Sequence, residues 1–269
     1  MGVARSTYYR LRDRQQSSSS PDPLEAVVCR VFKENNGAYG ARRIKKVLNR
    51  RSIVISRKRI VRILKKNNLA SVYTNCNKPK DYVSCPDNLY PNILNRVFDG
   101  YKPYTHIAGD LTYVKLGNRW SYICLLVDLY SREIVGHSAG FHKDAKLVKA
   151  AFAIIPFELD TIKVFHTDRG SEFNNMEIDD LLRTYQIERS VSRIGNPYDN
   201  AVVESTNKIL RFEFLNKNTF VDLSDLHHRL NSYVAWYNNE RLHSHLGYLS
   251  PREYSQIYSR HLAIAGSSS

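Results

Sequence analysis

Sulfur is scarce in this 269-residue chain, which has four cysteines and two methionines. None of the cysteines falls in a Cys-x-x-Cys pair, so Cys29, Cys76, Cys85 and Cys124 read as reduced thiols rather than a disulfide framework. The histidines never form a His-x3-His followed by Cys-x-x-Cys, and no structural zinc is expected. Long apolar runs are missing too. No stretch approaches the roughly 18 residues of a membrane span, and the N-terminus has no signal-peptide core, so no membrane partner is expected and the chain reads as cytosolic. Acidic residues are missing from one region in particular. Residues 1–80 carry 20 Lys and Arg against 4 Asp and Glu, while residues 81–269 carry 20 against 22. The net charge of +14 therefore belongs to the front. A basic front ahead of a near-neutral body fits a protein that grips nucleic acid with one part and acts on it with another.

The front is helical by pattern. Residues 1–12 look like the end of a helix-turn-helix, with Ser6 as a possible cap, as though the chain were one portion of a longer product. Ser17 to Ser20 with Pro21 and Pro23 reads as linker, making 1–23 a truncated helix and linker. Leu24, Val27, Val28, Val31 and Phe32 keep helical spacing until Asn35-Asn36-Gly37 ends it. A second helix is expected around Ile44, Val47 and Leu48. Ser56 is placed to cap a third, with Ile60, Ile63 and Leu64 on one face and Arg57, Lys58, Arg59, Arg62, Lys65 and Lys66 elsewhere. Three short helices, the last one basic, describe a helix-turn-helix-like DNA-binding domain over 24–72. Residues 73–104, with Pro79, Pro86, Pro91 and Pro103, read as a connector in which Arg96 and Lys102 serve either linker chemistry or DNA contact.

Beyond His106 the period changes from 3.6 to 2. Runs at 107–115, 122–127 and 133–138, separated by Gly117-Asn118 and by 128–132, predict an antiparallel meander. Asp144 then caps a helix through Phe152, a strand is expected at 162–165, a helix at 176–185, a strand at 187–191 and a helix from about 199 to 214 after Pro197. That order predicts an α/β fold, a mixed sheet of the RNase H-like kind, over 105–220, with a C-terminal helical segment and tail over 221–269.

Three acids stand out in this body. Asp110 lies in Gly-Asp-Leu-Thr-Tyr-Val on the first strand. Asp168 lies in His-Thr-Asp-Arg-Gly-Ser-Glu-Phe at the end of a later one. Glu204 follows thirty-five intervening residues later on a helix. Phosphodiester cleavage needs an activated attacking oxygen, neutralised phosphorane charge and support for the leaving oxygen, and two divalent cations about 4 Å apart supply all three. Hard cations such as Mg²⁺ or Mn²⁺ take oxygen ligands, and three carboxylates hold a pair if one bridges. Asn200, Glu204, Lys208 and Arg211 share one helical stripe, which directs two cations along the helix from the Glu. An i, i+4 salt bridge from Glu204 to Lys208 explains part of the same spacing.

These motifs resemble the DDE transposases of bacterial insertion sequences, most closely the larger reading frame of the insertion sequence three family, whose core is similar to retroviral integrase. The resemblance covers about residues 24–255 and includes the closing Tyr-Asn…Arg-x-His-Ser-x-Leu-Gly-Tyr-x-Ser-Pro segment, where Leu242 stands in place of a more usual Pro. It implies metal-dependent strand cleavage and strand transfer with no covalent protein intermediate. Asp110 would bridge two ions, and Asp168 and Glu204 would each complete one. Lys208 and Arg211 would contact the element end. His166 and Asn200 would support the ligands or touch DNA, with simple structural roles equally open. Expected partners are the terminal inverted repeats, target DNA, further copies of the chain on paired ends and an upstream reading-frame product that completes the first helix-turn-helix. The expected location is the bacterial cytoplasm, at the nucleoid. Two rivals have some support: a DNA-binding regulator that kept the fold without the chemistry, and a tyrosine recombinase, because His166-x-x-Arg169 and Tyr198 match that pattern in part.

Overall fold

The computed structural model describes residues 22–73, 90–193 and 196–257. The expected N-terminal helix end, the serine linker, Cys76, Cys85, much of the connector and the final tail lie outside them. The chain divides into two compact units, Met1–Cys76 and Asn77–Ser269.

In the first unit, α1 (Glu25–Glu34), α2 (Ala41–Arg50) and α3 (Arg57–Lys66) stand where the apolar spacing places them. Val28, Val31, Ile44, Leu48, Ile60 and Ile63 form the interior, none more than 3% exposed. Ser56 caps α3 as expected, its Oγ accepting from the Arg59 backbone N–H at 3.2 Å. Gly37, at φ +66°, makes the left-handed turn that stops α1.

The second unit is built on five strands: β1 (His106–Leu116), β2 (Arg119–Asp128), β3 (Ile134–Gly140), β4 (Val164–Thr167) and β5 (Glu188–Val191). Their order is β3-β2-β1-β4-β5. The first three form the expected antiparallel meander, while β4 and β5 run parallel to β1. This is the RNase H-like arrangement the element order predicts. The alternation of the strands explains the layers. Ala108, Leu125 and Val127 point into a core with α6 (Ala201–Glu213) and α7 (Leu223–Asn239). Ile107, Cys124 and Leu126 point into a second core with α4 (Ala145–Ala153) and α5 (Met176–Thr184). Asp144, Asn175 and Asp222 cap α4, α5 and α7 through their side chains.

Several boundaries depart from the sequence reading: β2 starts at Arg119 rather than 122, and β3 runs on to Gly140 rather than 138. Strand β4 starts and ends two residues later than expected, because pairing with β1 and β5, not the apolar run alone, sets its ends. The helix after Pro197 opens with a 3-10 turn, Pro197–Asn200, and becomes α-helical only at Ala201. Asn200, at φ −118° and ψ 27°, is therefore outside the α-helix. The stripe proposed from spacing thus holds for Glu204, Lys208 and Arg211 but not for Asn200.

Candidate active site

Sheet topology brings the first two acids together. Strand β4 pairs with β1 only at His106 to Ala108, so Asp110 lies just past the pairing, and Asp168 follows the last residue of β4. Asp168 thus stands at the carboxyl end of β4, where open α/β sheets place their sites, and Asp110 stands midway along the neighbouring β1. Gly109 makes the close packing possible, since a Cβ there would meet the Phe165 ring at 2.8 Å.

Helix α6 brings the third. Its buried face, Val203, Thr206, Asn207, Leu210 and Glu213, lies on the sheet, and Val203 and Leu210 are fully buried. Each such apolar side chain contributes about 1.5–3 kcal/mol. Asn207 passes Asp110 and donates from Nδ2 to its Oδ2 at 2.8 Å. The other Asp110 oxygen accepts from the Leu111 backbone N–H at 2.8 Å. Asp168 accepts from the Gly170 N–H at 2.9 Å. Glu204, one position around the helix from the buried face, stays exposed.

The acids feel one another. Burial pushes the Asp110 carboxyl up to about 7, with Asp168 and Glu204 adding to the rise and the Asn207 and Leu111 hydrogen bonds opposing it. Partial burial and then Asp168 likewise raise Glu204. Among the described residues no group of three His, Cys, Asp or Glu side chains is drawn together closely enough to hold an ion by itself. Three buried side-chain oxygens near these acids, Asn200 Oδ1, Asn207 Oδ1 and Glu172 Oε2, have no hydrogen-bond partner. Carboxylates with unpartnered amide and carboxylate oxygens beside them offer the donors a hard divalent cation takes.

The expected supporting residues divide. Arg211 leans back onto β1, donating from Nη2 to Thr112 Oγ1 at 2.9 Å and stacking over the Tyr113 ring at 4.8 Å. Lys208 is exposed. Asn200 is buried, and its Nδ2 reaches the Gly109 carbonyl at 3.5 Å, beside Asp110. His166 takes the structural role: it is 0% exposed and bonds through Nδ1 to Ser190 Oγ at 2.7 Å and through Nε2 to Ser192 Oγ at 3.0 Å. It ties β4 to β5 and is sealed away from DNA. That burial also removes the His-x-x-Arg pattern from any recombinase site, and Tyr198 is 70% exposed on the 3-10 turn.

Burial lowers the His166 pKa from 6.5 to about 4. The folded state prefers neutral imidazole, so its contribution is fully present above pH 6.5 and is lost as pH falls toward 4, worth about 3 kcal/mol. A His166→Gln variant is expected to flatten the fall in melting temperature between pH 6.5 and 4. An unchanged profile would assign that loss to other groups.

Sequence reasoning missed several residues here. Asn207 lies three residues past Glu204, on the helix face that meets the sheet, a position the stripe could have flagged. Asp199 is 0% exposed, and Arg193 and Arg96 clamp it with Nε bonds of 2.8 and 2.9 Å, fixing the entry to α6. Those bonds, the Arg193 one foremost, hold its carboxyl far below the usual range. Arg96 thus serves the fold. On α3, Arg59 forms a two-point pair with Asp22 and Lys66 pairs with Glu25, while Arg57, Lys58, Arg62 and Lys65 are exposed.

The sequence matches two models described as an integrase core domain, over residues 100–197 and 185–251, and an HTH-like domain over 21–75. It is 33% identical over 235 residues to the transposase for insertion sequence element IS904 of Lactococcus lactis, covering 85% of this chain and 92% of that one. It is 28% identical over 269 residues to a putative transposase for element IS986/IS6110 of Mycobacterium tuberculosis, covering 96% of each. Among solved structures, the HTLV-2 integrase catalytic core domain in complex with magnesium aligns with a TM-score of 0.46 and 22% identity, over 58% of this chain and 98% of that one. One core-domain match spans the strands bearing Asp110 and Asp168, the other spans Glu204, and a relative is shared over nearly its whole length. The chain therefore belongs to the transposases of bacterial insertion sequences, polynucleotidyl transferases with an integrase core and an HTH-like DNA-binding domain.

Proposed function

We propose that the chain cuts DNA at the ends of an insertion sequence and joins them to target DNA, with Asp110, Asp168 and Glu204 as the ligands of two Mg²⁺ or Mn²⁺ ions. The observation that carries this is the raised Asp110 carboxyl, lifted by burial and then by the neighbouring Asp168 and Glu204 charges, beside the end of β4 and beneath a helix bearing Lys208 and Arg211. The bound pair of cations supplies charge neutralisation and activation of the attacking oxygen. The protein supplies the rest. Asp110, held by Asn207 and Leu111, would be the most firmly fixed of the three ligands. Asp168 is oriented by the Gly170 N–H, and Glu204 approaches from α6. Lys208 and Arg211 hold the element end alongside, and Asn200 steadies the β1 backbone at Gly109.

The exposed cations of α3, Arg57, Lys58, Arg62 and Lys65, grip the DNA backbone from a domain spanning 24–72, with 73–104 connecting it to a catalytic core over 105–220 and a C-terminal segment over 221–269. Copies of the chain act together on paired ends, joined by an upstream reading-frame product, in the bacterial cytoplasm at the nucleoid. In a strand-transfer assay on the element's own ends, activity is expected with Mg²⁺ or Mn²⁺ and absent in EDTA, and Glu204→Gln is expected to be inactive. EDTA-resistant cleavage with a covalent protein–DNA adduct would defeat the metal reading. Neutralising Arg57, Lys58, Arg62 and Lys65 together should flatten the dependence of log affinity on log salt by about 0.9 for every DNA phosphate they had neutralised. An unchanged slope would move the DNA grip away from α3.

A further inference from the structure

β1, β3 and β4 run in the same direction, so the loop after β3 and the loop after β4 emerge at the end of the sheet where Asp110 and Asp168 lie. The first loop carries Lys143 and the second Glu172, and Lys143 Nζ meets Glu172 Oε1 at 3.0 Å. Glu172 is 1% exposed, while the Lys143 side chain is 46% exposed. The carboxylate is lodged against Gly170, where an added Cβ would lie 2.4–2.6 Å from its three atoms, and the same glycine donates to Asp168. Phe173, the next residue, packs into the α4 and α5 core, the face opposite α6.

An ion pair with one partner sealed and the other in solvent is a poor stabilising device, because desolvating the carboxylate costs several kcal/mol and here leaves Oε2 without a partner. The pair does place an ammonium beside the acids. Partial burial works against the charge on Lys143, but the Glu172 hydrogen bond and the fields of Glu172, Asp168 and Asp110 outweigh it and raise its pKa. Lys208 and Arg211 follow Glu204 on α6, about one and two turns along the helix. Lys143 comes instead from the loop that leads into α4, which packs on the other face of the sheet.

We propose that Lys143 contacts a DNA phosphate at this site and that Glu172 is its positioning residue, so that the strand is held from both faces of the sheet. The inference rests on the DNA-cutting reading of the three acids.

The test combines salt-dependent binding of a labelled duplex bearing the element's end, measured in EDTA, with steady-state cleavage in Mg²⁺. Lys143→Gln is expected to flatten the salt slope by about 0.9 and raise KM several-fold, and Lys143→Arg to restore most of both. Glu172→Gln keeps the cation but releases it, so kcat falls while the salt slope holds. Gly170→Ala, which displaces the Glu172 carboxylate, should behave like Glu172→Gln. An active parent protein whose Lys143→Gln variant keeps slope and KM, whatever its melting temperature, would overturn the role of Lys143 alone. A parent that binds the duplex yet cuts nothing in Mg²⁺ or Mn²⁺ would overturn the reading of the acids and this inference with it.

Discussion

Asp168→Asn is expected to abolish strand cleavage and joining while leaving DNA affinity and folding intact. The substitution keeps the size of the side chain and an oxygen to accept the Gly170 N–H, so the loop after β4 has no reason to move. What it removes is one anionic ligand. If metal-assisted stabilisation of the reacting phosphate is worth several kcal/mol, losing it costs about 10³-fold or more in rate. Asp110→Asn should do the same and in addition leave the metal-free protein as stable as the parent or more so, because ionising a carboxyl whose pKa is pushed up to about 7 opposes folding near neutrality. Cleavage assays, binding isotherms and thermal unfolding on the same preparations check all three points. Wild-type cleavage by Asp168→Asn would remove that residue from the site. Loss of binding and of folding together would make its role structural.

The largest stability effect is expected at Arg241. It is 0% exposed, and both its Nε and Nη2 donate to the Glu213 carboxylate at 2.7 Å, with Glu213 itself 4% exposed at the end of α6. The guanidinium also lies 5.3 Å from the centre of the Tyr237 ring. Arg241→Ala removes both guanidinium bonds from a buried carboxylate that otherwise accepts from the Tyr233 hydroxyl at 3.4 Å, and should destabilise by roughly 3–5 kcal/mol. Replacing both charges, as in Glu213→Leu with Arg241→Met, should recover most of that loss, because the pair's attraction does little more than offset its desolvation. Chemical unfolding of the two variants checks this, and equal losses in both would show that packing, not the unpaired charge, sets the cost. Since Glu213 and Glu204 share one helix, Arg241→Ala should also lower cleavage by loosening α6.

The closing Tyr-Asn…Arg-x-His-Ser segment was legible as a pattern but not as a device. Asn238 bonds both the N–H and the carbonyl of Ile134 on edge strand β3, and His245 meets Asp99 and Arg132. Leu242 is buried. Such long-range pairs leave no periodic trace. The meander and the helix caps at Ser56 and Asp144 could be read because each rests on local chemistry. The later start of β4 and the 3-10 turn before α6 could not, because pairing partners and the Asp199 clamp set them. For the same reason, spacing does not show that Asn200 precedes the α-helix on a 3-10 turn, or that two serines enclose His166. Glu172 stands inside the His-Thr-Asp-Arg-Gly-Ser-Glu-Phe run, but only the fold brings Lys143, from the loop after β3, to it.

The central claim is that the three carboxylates place metal ions on the reacting phosphodiester. Replacing the leaving 3′ oxygen at the element end with sulfur tests it most directly, because Mg²⁺ holds sulfur poorly while the softer Mn²⁺ tolerates it. The account predicts that the parent protein cuts the sulfur-containing end slowly in Mg²⁺, recovers in Mn²⁺, and shows no recovery once Glu204 is Gln. Equal rates in both metals, or cleavage in EDTA, would contradict it.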